Sequence, residues 1–179
     1  MDNINNKERV CAQEALTDAN NLDDLQPGAP DYIAATADRL LARVGGTLTA
    51  ENMSELTENE ITLIAYRMMR DEVMDGGFLG LIYNGLGPFI FLNPFAKAIR
   101  LMGQGTPDED LLHDLSKLIY KGRKLYERYG EKLNCECKDD EEFMALYEQF
   151  PEFDDLDDEF VGLEEEFSAA IERQLKIEV

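Results

Sequence analysis

The chain has no tryptophan, one histidine, three cysteines and six prolines in 179 residues. Each scarcity removes a class of protein. A single histidine, His113, cannot build a histidine-rich metal centre, and Asp114 beside it on a predicted helix does not face it. His113 reads as an ordinary surface or half-buried residue. Cys11, Cys135 and Cys137 are too few, and odd in number, for a secreted disulfide framework. Cys135 and Cys137 stand one residue apart, without a second pair to complete a zinc site. Their acidic flank of Glu131, Glu136, Asp139 and Asp140 does not lower a thiol pKa. Long apolar runs are also missing. The stretch with least charge, 76–96, is broken by Gly80, Gly85, Gly87, Pro88, Asn93 and Pro94, so no membrane span is expected. Residues 1–10 lack the apolar segment of a signal peptide, and a cytoplasmic protein is the expectation.

Positive charge is the next deficit. Lys and Arg number 17 against 38 Asp and Glu, a formal net charge of -21. Phosphate backbones and anionic membranes need basic patches, so nucleic acid and membrane surfaces are disfavoured as direct partners. A basic protein is the partner such a field would steer in. The acid is concentrated late. Residues 1–130 hold 20 acidic and 13 basic residues, whereas 131–179 hold 18 and 4. Between Asp139 and Glu166 there are 14 acids and no Lys or Arg. Crowded carboxylates repel and weaken a fold, a cost that solubility alone does not demand.

What is present is helical. Hydrophobic residues are 44% of the chain, enough for a core. Residues 1–28 are polar, with a short helix near 8–19 as one reading, and 29–179 read as a single helical domain. Tyr32, Ile33, Ala37, Leu40, Leu41 and Val44 keep helical spacing up to Gly45-Gly46. Thr57 with Glu60 is a capping-box signature, and its helix runs to Gly76-Gly77. Residues 78–91, FLGLIYNGLGPFIF, admit two readings: a helix resuming after a kink, or two strands turning at Asn84-Gly85. The helix is preferred, because everything around it is helical, and this segment is expected at the centre of the core. Asn93-Pro94 and Thr106-Pro107 open two further helices, the second running to about Tyr129 past a weak spot at Gly122. Asp139-Asp140 opens another, ended by Pro151. Phe153, Leu156, Phe160, Leu163, Phe167 and Ala170 then form one stripe along a last helix, expected to pack on the chain's own core rather than on a second subunit. The expectation is an all-α, bundle-like domain with a Gly-rich aromatic segment inside it. Asp154, Asp155, Asp157, Asp158, Glu159, Glu164, Glu165 and Glu166 are expected outward, as a rigid acidic protein-binding surface.

Catalytic patterns are missing. There is no phosphate loop, calcium loop or nucleophile elbow, so no catalytic residue, metal or cofactor is expected and the protein is not read as an enzyme. EVMDGGFLGLIYNGLG, residues 72–87, resembles the central motif of a bacterial family of acidic proteins that includes a DNA-mimic protein of Neisseria. The matching positions are Glu72, Val73, Asp75, Gly76, Gly77, Phe78, Tyr83, Asn84 and Gly87. The tail resembles the family's closing Leu-Asp-x-x-Phe helix through Leu156, Asp157 and Phe160, and the likeness covers about 50–179. The resemblance implies an all-helical fold and admits a homodimer. It also implies DNA mimicry, an acidic surface presented to a transcription factor or nucleoid protein. The motif residues read as structural: Gly76 and Gly77 free of side-chain clash, Phe78 in the core, Glu72 or Asn84 tying the loop backbone. The alternative is a structural or enzymatic domain with a pocket near Gly77, Tyr83 and Asn84, its acid merely solubilising.

Overall fold

Thr57 and Glu60 make the reciprocal bonds that the capping box requires. The Glu60 N–H donates to Thr57 Oγ1 (3.3 Å) and the Thr57 N–H to Glu60 Oε2 (2.7 Å). They open the longest helix of the fold. The computed structural model describes residues 32–134, 137 and 139–175. The helix expected near 8–19, Cys11 and Cys135 lie outside the described residues.

Among the described residues eight α-helices follow in order: α1 Tyr32–Arg43, α2 Glu58–Tyr83, α3 Gly87–Phe91, α4 Phe95–Gly103, α5 Glu109–Leu133, α6 Asp140–Gln149, α7 Asp154–Val161 and α8 Glu164–Leu175. Short 3-10 turns at Asn52–Glu55 and Pro151–Phe153 join them, and the described residues contain no strand. The fold is therefore all-α and bundle-like. The hairpin reading of Asn84-Gly85 gives way to the helical one: α2 resumes after a kink, and Gly85 turns the chain at φ 84° into α3.

Helix α2 is the hub, with α1, α3, α4, α5, α7 and α8 packed around it, while α4 lies along α5. The aromatic segment is the core centre, as its composition requires. Phe78, Leu79, Leu81, Ile90 and Phe91 are buried. Phe160 meets Phe78 edge-on, with ring centroids 5.9 Å apart, a geometry worth roughly 0.5–1.5 kcal/mol beyond its buried area. Gly122 is a close crossing: a Cβ there would stand 2.8 Å from Phe91 Cε1, so the glycine lets the ring seat against α5.

Two expectations need correction. The closing stripe runs from a 3-10 turn at Phe153 over two helices, because α7 ends at Val161, capped by Gly162, and α8 starts anew at Glu164. Phe153, Leu156, Phe160, Phe167 and Ala170 are all buried within the chain, so the stripe packs on its own core across the break. Asn93 serves the helix before it, its Nδ2 donating to the Phe89 carbonyl (2.9 Å), while Pro94 stands at the N-cap of α4.

Candidate functional site

The two glycines of the motif do different work. Gly77 has φ 62° and ψ -178°, a region nearly closed to any other residue. A Cβ on it would stand 2.8 Å from Asp157 Cγ and nearer still to Oδ2. Gly76 sits at φ -139° and ψ 21°. A Cβ there would meet only the Tyr147 hydroxyl, at an ordinary 3.6 Å, so the clash expected at this position is not found. The kink takes the Phe78 N–H out of the helical ladder, and Asp157 Oδ1 accepts it at 2.7 Å. The carboxylate thus caps the second half of α2 from a helix 79 residues away. On the other flank the Tyr147 hydroxyl donates to the Gly76 carbonyl. Asn84 Nδ2 donates to Glu72 Oε2 (2.8 Å) across the break, so these two motif residues tie each other, not the loop backbone. Gly87 makes room for Tyr126, which a Cβ would approach to 2.6 Å.

Asp157 is therefore no display residue. Burial pushes its carboxyl up to about 6, against the Phe78 N–H that lowers it, with Asp154 and Asp158 adding repulsion. Glu164 also turns inward. Its side chain is only 16% exposed and accepts from the Ser168 hydroxyl (2.7 Å), with Arg70 Nε 3.8 Å away. Ser168 in turn meets the buried Tyr66 hydroxyl (2.9 Å), so this chain of contacts fastens α8 to α2. Burial raises the Tyr66 pKa. Glu159 is paired with Lys121 of α5, and Glu152 accepts from the Tyr129 hydroxyl (2.6 Å).

Glu159 stays on the surface within its ion pair, and the remaining five expected acids are exposed and unpaired among the described residues. Asp154, Asp155 and Asp158 on α7 and Glu165 and Glu166 on α8 are exposed. None makes an ion pair with a described residue, so their charge faces solvent. Asp154 and Asp155 lie four and three residues before Asp158, a spacing that puts helical side chains about 5–6 Å apart.

Beside the kink a cleft of ≈ 460 Å³ opens between α2 and the start of α6, near the place named for a pocket. Asp75, Tyr83 and Asn84 line one side, and Asp139, Phe143 and Tyr147 the other. The Tyr83 and Phe143 rings are 4.8 Å apart, and Phe143 meets Tyr147 edge-on at 5.6 Å. Gly77 is not among the lining residues; its backbone faces Asp157 instead. Among the described residues no group of three or more His, Cys, Asp or Glu side chains is arranged to hold a metal ion, and no helix is long and apolar enough to cross a membrane.

A family model described as DMP19-like protein matches residues 54–176, well over half of the chain. The chain belongs to the DMP19-like family. The DNA mimic protein DMP19 of Neisseria meningitidis serogroup B (strain ATCC BAA-335 / MC58) is 31% identical to it over 107 residues. That alignment covers 60% of this chain and 60% of the Neisseria protein. The DMP19-like region includes the α2 kink, its Asp157 cap, the cleft and all five outward acids. The two segments that carried the resemblance, Gly-Gly-Phe and Leu-Asp-x-x-Phe, are one structural unit in space: Asp157 caps the Phe78 amide while Phe160 packs on the Phe78 ring.

Some residues that hold this DMP19-like fold together escaped sequence reasoning. Asp108 reads as a first-turn acid favoured by the helix dipole, yet it is buried and anchors the end of α8. It accepts from Arg173 Nε (3.0 Å) and Nη2 (2.6 Å) and from Gln174 Nε2 (2.9 Å), and the guanidinium holds its carboxyl below the usual range. Tyr147 carried no motif at all. Both depend on contacts more than 60 residues apart, for which local spacing holds no signal.

Proposed function

We propose that this chain is an acidic binding protein of the cytoplasm, not an enzyme, that offers carboxylates to the DNA-binding face of a basic protein such as a transcription factor or nucleoid protein. The observation that carries the reading is the set of five exposed carboxylates on α7 and α8, Asp154, Asp155, Asp158, Glu165 and Glu166, unpaired by any described residue. They lie in a stretch, 139–166, without Lys or Arg. The Neisseria relative, named a DNA mimic, supports it. DNA presents one charge per ≈ 1.7 Å of its axis, and carboxylates on short rigid helices imitate part of such an array without the base edges that would specify sequence. Asp157 does not belong to this surface, since its place is under the kink.

The test is capture from host lysate at about 50 mM salt, with elution by duplex DNA, followed by a titration of the recovered protein. The double variant Asp158→Lys plus Glu165→Lys reverses two outward charges and breaks no side-chain hydrogen bond or ion pair among the described residues. Surface charge pairs contribute roughly 0.2–1 kcal/mol each, so reversing two is expected to weaken binding about tenfold at 50 mM salt. The loss shrinks as salt screens it. Retention of full affinity in the double variant, or binding indifferent to salt and to DNA, refutes the reading.

A further inference from the structure

We propose that the cleft between α2 and α6 receives an arginine side chain of the basic partner. The proposal rests on the binding function above and names the group that this second part of the surface selects. Three rings line the cleft, Tyr83 from α2 and Phe143 and Tyr147 from α6, with Asp75 and Asp139 among the same lining residues. The described lining residues include no Lys or Arg. The rings are held still. The Tyr147 hydroxyl is committed to the Gly76 carbonyl, and the Tyr83 hydroxyl accepts the Cys137 N–H (3.2 Å). Their hydroxyls are thus engaged, and what they offer a ligand is aromatic surface.

A guanidinium suits this combination better than other groups. It is planar, weakly hydrated, stacks on aromatic faces and pairs with carboxylates in a fork. An ammonium is a compact, strongly hydrated point charge and uses the rings less well. An anion meets two carboxylates, and an apolar ligand strips water from them without a partner. The volume, ≈ 460 Å³, lies in the range of small-ligand clefts. The cleft also shares its field with the outward acids. The Tyr147 pKa is raised by burial first and then by the nearby charges of Asp157 and Asp75, and Asp157 in turn feels Asp154 and Asp158.

The test uses the isotope-labelled full chain, titrated by NMR with acetyl-arginine-amide and, separately, with acetyl-lysine-amide at about 50 mM salt. Expected are shifts at the backbone amides of Gly76, Gly80 and Asn84, with the arginine probe bound at least about threefold tighter than the lysine probe. Phe143→Ala and Asp75→Asn are each expected to weaken the arginine probe by about threefold or more. Asp75 is exposed, so its variant reads out binding even if Phe143→Ala loosens the fold. Shifts confined to α7 and α8, equal affinity for both probes, or wild-type affinity in Asp75→Asn overturns the proposal. No partner enters this measurement. A chain that binds the probe in the cleft but captures no DNA-displaceable protein keeps the cleft and loses the proposed function. The converse result loses the cleft alone.

Discussion

Replacing Gly77 by alanine tests the α2 kink directly. The new methyl would have to occupy the space of the Asp157 carboxylate, 2.8 Å from its Cγ, on a backbone at φ 62° and ψ -178°. Backbone strain of this kind costs roughly 1–3 kcal/mol. Displacing the carboxylate removes a helix cap worth roughly 0.5–2 kcal/mol. The sum, about 2–5 kcal/mol, is a large part of the total stability of about 5–15 kcal/mol typical of a domain. For a domain of this size each kcal/mol lowers Tm by about 2–4 °C, so Gly77→Ala is expected to lose on the order of 10 °C in calorimetry. The Asp157→Ala background separates the two terms. There the clash is gone and the cap already lost, leaving only the backbone strain, so the Gly77→Ala penalty should fall to about 1–3 kcal/mol. A Tm within about 2 °C of wild type for Gly77→Ala, or strict additivity in the double variant, refutes the account of the kink.

Two further outcomes follow from the same contacts. Asp157→Asn keeps an oxygen for the Phe78 N–H and removes the buried charge. The folded carboxyl is raised to about 6 from 3.8, so the stability it contributes is complete below 3.8 and is lost as pH rises through about 6. The advantage of Asp157→Asn over wild type should therefore be largest at pH 7 and shrink towards pH 4, as followed by urea midpoints; a difference that is flat or grows on acidification contradicts this. Thr57→Ala removes one half of the capping box and is expected to cost about 1 kcal/mol, seen as a Tm drop of about 2–4 °C, with no effect on capture of a basic partner.

Local patterns made most of the helices legible. Proline, capping residues and paired glycines mark α1, α2, α5 and α6, since these signals act within a few residues of where they stand. The apolar stripe from Phe153 to Ala170 announced a buried face, because period alone decides which side of a helix is apolar. It did not announce the break at Gly162, which leaves the stripe intact across two helices. The acidic surface was half legible. Composition names the segment, but the eight acids are chemically alike in sequence, and only their neighbours in space sort them.

That sorting defines the division between chain and fold. The sequence by itself determined the charge of -21, its concentration late in the chain and the helical class, because these are sums and periods along the chain. Tertiary structure decided that Asp157 is a cap, that Glu164 is a tether and that Glu159 is paired with Lys121, leaving five acids outward and unpaired among the described residues. It also decided that Gly77 and Phe78 meet Asp157 and that Gly76 meets Tyr147. A carboxylate's role depends on the dielectric and the donors around it, and those donors come from helices far away in the chain.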